Sequence, residues 1–490
     1  MIYFGHPCLR SDLPHFGRVD IQESVMLTAT ASPTPVQTDN SWRTHYRASL
    51  YLGVPFIGAQ LAQLAINTTD VLMVGKLGAT QLAAIILATQ MYFTIYIFGS
   101  GFANAVVPMA AQAQGRGDKV SVRRSVRMGL WVVLCYGVLT APVLWLAEPI
   151  LLLAGQQPEV AALAAEYLHI AQWAIFPGLI FMVLRAFLSG LERAGIILYV
   201  TLATLVLNAA LCYVLIYGHY GFPQLGIFGA AVAALGVAVL GTVLTIAYIK
   251  SKPELNQYEL FVRFWRPDWP AFREVVYLGI PISLTILAEV SLFTVASLLM
   301  GTIGTIELAA HGIALQFASL AFMIPLGIAQ AATVRVGLAY GRGDMLGVRR
   351  AAISALVLGA IFAIIGSAIF ALFPSQLAAL YLDTNRPDAA QVLAFAAPLI
   401  VIAGAFQLVD GLQAIAAGML RGLKDTKVPM ILAMISYWPI GFLCAWAFAF
   451  PLKFGGIGVW FGFVLGLAAA ALFLNWRFFR MIRDHKVTAA

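Results

Sequence analysis

Three carboxylates stand inside stretches otherwise too apolar for a water-soluble surface: Asp70, Glu289 and Asp410. A charged side chain at the centre of a bilayer costs about 2.5–3.5 kcal/mol on insertion scales, so each is a candidate functional group. Glu289 lies in Ile280-Pro281-Ile282-Ser283-Leu284-Thr285-Ile286-Leu287-Ala288-Glu289-Val290, and Asp410 in Phe406-Gln407-Leu408-Val409-Asp410-Gly411, neither with a basic residue nearby in sequence. A buried carboxylate without a cationic partner holds its proton more tightly, and a second one close by strengthens that tendency. Two such acids facing each other could exchange protons near neutral pH or share a Na⁺, with the Gln407 amide as a polar neighbour. Either would couple an ion gradient to movement of the protein. The plainer alternative is that one acid lines a wet path and attracts a cationic substrate.

Asp70 belongs to a second polar group. Gln63, Asn67 and Asp70 follow i, i+4, i+7 spacing and so share a helix face. A carboxylate with amide oxygens could hold a proton or a hard cation, and a structural hydrogen-bond network between helices is the competing reading. Glu166 is also inside an apolar stretch, but near its outer end. Arg185 and Arg335 are expected to snorkel from inner span ends, and His169 and His311 to sit as satisfied interfacial histidines.

The elements that must position these groups are membrane helices. The chain of 490 residues is 61% hydrophobic and 11% charged, with a mean hydropathy of +0.87. Soluble domains are about 45–50% apolar and about 25% charged, which excludes a cytosolic enzyme. At about 20 residues per span, the apolar segments amount to twelve helices. If the first begins near Ser49, only Lys76, Arg386 and Lys453 of the 30 basic residues fall on odd-numbered connections. The other basic residues lie in the tails and the even-numbered connections, which by the positive-inside rule places both termini in the cytoplasm. The net charge of +8 therefore reports topology and contact with anionic lipid, not nucleic-acid binding.

The chain also contains itself twice. Shifted by 226 positions, residues 53–118 fall on residues 279–344 with about 20 identities in 66 positions, several times the chance level. Pro55 meets Pro281, Gly75 and Gly78 meet Gly301 and Gly304, Gln90 meets Gln316, and Gly115-Arg116-Gly117-Asp118 meets Gly341-Arg342-Gly343-Asp344. Gln63 falls on Glu289, so both halves carry a polar group at one depth. The expected fold is all-α, with twelve spans in two parallel six-helix repeats. An N-lobe over 41–250 and a C-lobe over 273–480 are joined by a cytoplasmic linker over 251–272. Residues 1–40 read as a disordered tail or a mis-assigned start before Met26, and 481–490 as a cytoplasmic tail. An even number of spans per repeat relates the halves by an axis along the membrane normal, the architecture of carriers with a substrate path between lobes.

Other chemistries find little support. Cys8, Cys135, Cys212 and Cys444 show no metal-ligand spacing and read as small fillers. No Ser-His-Asp, HExxH, CxxC or P-loop pattern occurs, so no cofactor or ATP hydrolysis is expected. Nothing reads as a carbonyl filter or charged ring, which sets an ion channel behind a carrier. Aromatic residues should mostly form interface belts, although Trp173, Phe176, Tyr437 and Trp438 could line a cavity for flat cations.

Taken together, Asn67-Thr68-Thr69-Asp70, Val74-Gly75-Lys76-Leu77-Gly78, the doubled Gly-Arg-Gly-Asp, Val334-Arg335-Val336-Gly337 and Ala417-Gly418-Met419-Leu420-Arg421-Gly422-Leu423-Lys424-Asp425-Thr426 make the chain resemble the multidrug and toxic compound extrusion (MATE) family. The resemblance runs from about Trp42 to Arg483 and is to the NorM-like bacterial branch. It implies a monomeric antiporter of the inner membrane that exports organic cations, such as drugs and dyes, against Na⁺ or H⁺. A related carrier of a metabolite or lipid-linked precursor is the alternative. Glu289 and Asp410 then correspond to a second-lobe cation pair, and Asp70 to a first-lobe acid with Gln63 and Asn208 as polar neighbours. Two positions depart from some relatives. Phe406 stands where they have a tyrosine, and Cys212 where they have an acid, so the Glu289/Asp410 pair is favoured as the coupling site.

Overall fold

A computed structural model describes residues 41–75, 79–382 and 389–488. The expectations made for residues 1–40, Met26 and Cys8 among them, and for Lys76, Gly78 and Arg386 fall outside the described residues. Among the described residues, twelve helices are long and apolar enough to cross a membrane. They are α1 (Trp42–Val74), α2 (Thr80–Gly115), α3 (Lys119–Trp145), α4 (Pro158–Gly190), α5 (Ala194–Tyr217), α6 (Gly226–Ser251), α7 (Trp269–Ile303), α8 (Thr305–Gly341), α9 (Met345–Leu372), α10 (Ala389–Gly422), α11 (Lys427–Ala449) and α12 (Gly455–Asp484). Helices are the natural answer for such a sequence, since lipid offers no partner for a backbone N–H or C=O.

The packing is pseudo-symmetric. In the first half α4 packs on α2, α3 and α6, and α5 on α1 and α6; in the second half α10 packs on α8, α9 and α12, and α11 on α12 and α7. The two bundles meet where α1 lies on α8 and α2 on α7, each contact being the image of the other under the repeat. Small residues permit this approach. A Cβ on Gly327 would stand 2.7 Å from the Ile57 backbone nitrogen, and one on Gly101 would stand 2.6 Å from that of Ser283.

The doubled Gly-Arg-Gly-Asp has a local cause. Each copy ends one helix and starts the next. Gly117 and Gly343 adopt φ of 73° and 74°, the left-handed region that glycine enters without strain. The following aspartates cap the next helices, Asp118 Oδ1 accepting from Ser121 N at 3.0 Å and Asp344 Oδ1 from Gly347 N at 2.7 Å. Beyond the turn, a Cβ on Gly115 would lie 2.3 Å from Leu338 O and one on Gly341 2.2 Å from Gln112 O. The same repeat therefore supplies both the tight turns and the close contact of α2 with α8.

This contact lies at the end of the molecule where the basic connections cluster, and the polar cross-bundle contacts lie in the same half. Arg185 Nη2 on α4 donates to Gln60 Oε1 on α1 at 2.9 Å and to Gln330 Oε1 on α8 at 3.1 Å. Arg335 Nη1 on α8 donates to His45 O on α1 at 2.7 Å. Gln112 Nε2 on α2 donates to Gly422 O on α10 at 2.8 Å. Snorkelling is thus corrected for both arginines. A guanidinium carries five donors in a planar fork, and amide and carbonyl oxygens between the bundles satisfy them better than a reach past the helix ends. The segment between α6 and α7 is held on α3 through its backbone, with Leu260 O accepting from Arg127 Nε at 3.0 Å and Phe264 O from Trp131 Nε1 at 2.9 Å.

Two outcomes follow from these contacts. Gly341→Val places branched atoms against Gln112 O, so the distance between spin labels at Lys119 and Met345 should lengthen; an unchanged distribution would show that the α2–α8 contact does not hold the bundles together. The Ser121 hydroxyl and N–H hold the Asp118 carboxyl below its usual range. Its capping contribution of about 1 kcal/mol is present at neutral pH and is lost as pH falls through that lowered value. Asp118→Asn should keep the cap but flatten this acid branch in a melting-temperature profile, whereas Asp118→Ala should lower the neutral-pH melting temperature.

Candidate functional site

The second-bundle acids come from two helices that each pack on α8. Glu289 sits near the middle of α7 and Asp410 near the middle of α10, and both open onto one cavity of about 280 Å³. Its walls include Gln90 and Phe93 of α2, so the cavity lies between the bundles rather than inside one. Phe293, Phe322 and Phe406 supply aromatic faces and Thr294 and Ser297 hydroxyls. A pair of carboxylates in an aromatic-lined space is suited to a cation, through charge and through the negative faces of the rings. Asp410 is 3% exposed, and its Oδ1 has no hydrogen-bond partner in the protein. Gln407, one turn earlier, is likewise buried with an unpartnered Oε1 and lies against Gly366 of α9. Tertiary folding also brings the half-buried Arg421 of α10 within electrostatic reach of Glu289, a partner that no neighbour in sequence provides.

A layer of rings backs the cavity. Phe406 meets Trp460 edge-on at 5.5 Å and Phe293 at 5.9 Å. Trp460 Nε1 donates to His311 Nδ1 at 3.2 Å, and His311 Nε2 lies 3.2 Å from Ser297 Oγ. Because Nδ1 accepts, a neutral ring carries its proton on Nε2 and donates to Ser297. His311 is 1% exposed, which corrects its assignment as an interfacial histidine: it joins α7, α8 and α12 behind a cavity-lining hydroxyl. His169 does pair at a span end, with Trp145 O at 3.0 Å, and Glu166 is exposed.

The first-bundle acid has its own neighbours. Asn208 Nδ2 on α5 donates to Asp70 Oδ1 at 2.7 Å, and the Cys212 thiol, one turn on, donates to the same oxygen at 3.5 Å. Tyr217 Oη fastens α5 to α1 by donating to Met73 O at 2.7 Å. Cys212 is therefore more than a filler, which corrects that reading for one of the cysteines. Gln63 and Asn67 are exposed, while Ala62 and Ile66 are buried. At about 100° per residue, seven residues fall short of two turns by about 20°, whereas four overshoot one turn by about 40°. That rotation turns Asp70 toward α5, and the step of four residues turns Asn67 the other way.

The aromatics singled out as cavity candidates lie elsewhere. Trp173 is 56% exposed and stacks near Phe176, and Tyr437 is 0% exposed with its hydroxyl accepting from Gln413 Nε2. The rings that line the cavity are Phe93, Phe293, Phe322 and Phe406. Nothing in their local sequence separates them from lipid-facing phenylalanines. Gln90 had a signal, its identity with Gln316 in the repeat. Gln413 had one too, lying one turn beyond Asp410. Among the described residues no group of three or more His, Cys, Asp or Glu side chains converges as a metal cluster would.

Comparison with known proteins agrees with this architecture. The MatE family model matches residues 55–214 and again 281–447, two segments whose starts are 226 positions apart. The chain is 84% identical over 465 residues to a probable multidrug resistance protein NorM of Rhizobium meliloti, covering 95% of this chain and 99% of that protein. It is 55% identical over 464 residues to a protein of the same description from Agrobacterium fabrum, covering 95% and 100%. Among solved structures, an outward-facing multidrug resistance MATE family transporter superposes with a TM-score of 0.83 at 22% identity, over 90% of this chain and 97% of that one. The eukaryotic MATE transporter AtDTX14 gives 0.80 at 20% identity, over 91% and 99%. At those identities the likeness is one of fold, the twelve-helix arrangement of two six-helix bundles.

The buried chain behind the cavity gives a direct test. His311→Leu leaves the Trp460 indole N–H without its acceptor, a loss of about 1–3 kcal/mol, and should lower the thermal midpoint of the purified protein. An unchanged midpoint would mean that the indole finds another partner and that His311 does not order this wall.

Proposed function

The chain belongs to the MATE family, and from that premise we propose that it is a secondary multidrug antiporter of the bacterial inner membrane, working by alternating access. Its substrates are small organic cations, drugs and dyes among them, and it exchanges them for Na⁺ or H⁺. The observation that carries this reading is the opening of Glu289 and Asp410, from different helices of the second bundle, onto one aromatic-lined cavity that α2 of the first bundle closes. A cationic substrate and a coupling ion then compete for the same two carboxylates. Loading of the ion discharges the drug, and the rocking of one bundle against the other carries each to its own side.

The parts take their roles in this scheme from their packing. Residues 41–250 and 273–480 are the two moving lobes, and 251–272 is the strap between them. Both termini and the basic connections face the cytoplasm by the positive-inside rule. The α2–α8 contact and the Arg185 and Arg335 bridges then close the cytoplasmic side, and the conformation is outward-facing. Asp70, with Asn208 and Cys212, is a second acid that binds a proton or orders α1 against α5, with Gln63 and Asn67 beside it. The transporter acts as a monomer in contact with membrane lipids, and Na⁺ or H⁺ is all it requires besides substrate.

Purified protein in liposomes loaded with a fluorescent organic cation tests the reading, with a Na⁺ gradient and a pH gradient imposed separately. One of the two gradients should drive dye movement, and Glu289→Gln and Asp410→Asn should each abolish it without loss of inserted protein. Retained movement in both variants would remove the pair as the coupling site. Asp70→Asn should impair movement at unchanged protein amount; a defect matched by lost protein would mark Asp70 as structural.

A further inference from the structure

The segment between α6 and α7 climbs along α3 and turns back beside it. Leu260 O accepts from Arg127 Nε at 3.0 Å, Phe264 O accepts from Trp131 Nε1 at 2.9 Å, and Asp268 N donates to Met128 Sδ at 3.3 Å. Trp131 is one turn above Arg127, so the tip of this loop at Phe264 lies about 6 Å deeper along α3 than its two ends. Glu259 and Arg263 make the bends with φ of 47° and 53°, a conformation that a non-glycine residue keeps only where its surroundings fix it. Val262, Trp265 and Trp269 are exposed along the loop, and tryptophan is the residue of membrane–water interfaces.

Two hollows adjoin at this loop. The upper, of about 560 Å³, is apolar: Leu134, Cys135, Val138 and Leu139 of α3 and Phe176 of α4 wall it, and Trp131 and Phe264 form its floor. From Trp131 to Leu139 it runs about 12 Å along α3, close to the 15 Å or so that a lipid chain covers in one leaflet. The lower hollow, of about 330 Å³, holds Arg124, Arg127, Arg266, Asp268 and Trp269, with Met128 in its wall. Met128 is three residues before Trp131, and Arg266 two after Phe264, so the two hollows meet at the loop.

The charges of the lower hollow are unequally engaged. Asp268 accepts from Arg124 through both oxygens, Nη2 at 3.1 Å and Nε more closely. Arg127 is engaged by the carbonyls of Glu259, Leu260 and Val262. The exposed Arg266 guanidinium has neither ion pair nor hydrogen bond among the described residues, and its planar fork suits a phosphate. Three arginines against one carboxylate leave the hollow positive, which disfavours an organic cation and suits an anion with an apolar tail. The fold does not impose this arrangement on both halves. Under the repeat Arg127 and Trp131 fall on Ile353 and Val357, neither of which has a side-chain donor for a carbonyl.

We propose that α3 and the inter-bundle loop form a binding site for one anionic phospholipid of the leaflet at the basic end of the molecule. Arg266 and the neighbouring Arg124 hold the phosphate-bearing headgroup beside Trp269, and one acyl chain lies in the groove of Leu134, Val138 and Leu139 above Phe264. The lipid thereby touches both the first bundle and the segment that leads into the second. That leaflet is the cytoplasmic one on the reading of the basic connections given above.

Native mass spectrometry of the purified transporter tests the headgroup, with phosphatidylglycerol and phosphatidylcholine of identical chains supplied in equal amounts. Phosphatidylglycerol should be retained severalfold better, and Arg266→Gln should reduce its retention to that of phosphatidylcholine. Arg349→Gln removes an exposed charge from the corresponding end of the other bundle and should leave the preference unchanged. Equal retention of the two lipids by the wild type, or an equal loss in both variants, would overturn the site. A phosphatidylglycerol with a diazirine on its chain then locates the groove in vesicles. Cross-links should concentrate on residues 131–139 and Phe176, and Val138→Trp, which fills the groove from its exposed side, should reduce them severalfold. Cross-links spread evenly over the lipid-facing helices would mark an ordinary surrounding lipid and overturn the proposal. Neither measurement depends on the coupling ion or on which face is cytoplasmic, so failure here is distinct from failure of the antiport reading.

Discussion

Lipid cannot hydrogen-bond, and almost every feature of this protein answers to that constraint. Backbone groups are satisfied within twelve long helices, while polar side chains have to find each other across helix faces. Thr and Ser hydroxyls throughout the spans donate back to carbonyls three or four residues earlier, as Thr201 does to Ile197 O at 2.7 Å. The longer polar groups cannot do this locally and instead tie distant helices together. Arg185, Arg335 and Gln112 use amide, hydroxyl or carbonyl oxygens of the opposite bundle, so the joint between the halves is polar in a molecule that is otherwise mostly apolar.

A polar joint suits a part that must open and close. Between two apolar helix faces in lipid there is little hydrophobic drive for or against contact, and close packing of small residues does the holding. The glycines at the α1–α8, α2–α7 and α2–α8 contacts bring backbones together. The hydrogen bonds made there can be exchanged for water once the bundles part. The two acids of the second bundle line a cavity that Gln90 and Phe93 of the first bundle also wall.

The halves are equivalent in topology but not in chemistry. Gln63 and Glu289 occupy the same repeat position, yet Gln63 is exposed and Glu289 lines the inter-bundle cavity. The first bundle places its acid at Asp70, where Asn208 and Cys212 donate to it. The second leaves Asp410 Oδ1 and its neighbours on α10 without donors. One carboxylate is thus held by donors of the protein and the other keeps an oxygen without one, an asymmetry that duplication of a single bundle permits.

The twelve spans, the internal repeat and the three acids were legible in the sequence because each rests on a local or periodic signal. Apolar run length, self-similarity at a fixed offset and a charge inside a span do not depend on how helices pack. The doubled Gly-Arg-Gly-Asp could be seen as a repeat, but its role as a left-handed turn plus cap beside a backbone contact is visible only in three dimensions. The neighbours of the acids were decided by tertiary structure alone. Helix rotation sent Asp70 toward Asn208 and left Gln63 and Asn67 exposed. Contact with Ser297 of α7 and Trp460 of α12 buried His311, and the approach of the bundles turned Arg185 and Arg335 inward. Which phenylalanines face the cavity had no local signature, since a lipid-facing ring and a cavity-facing ring look alike along the chain. A sequence records what a residue can do; the face it presents depends on a rotation of tens of degrees that only the packed neighbours set.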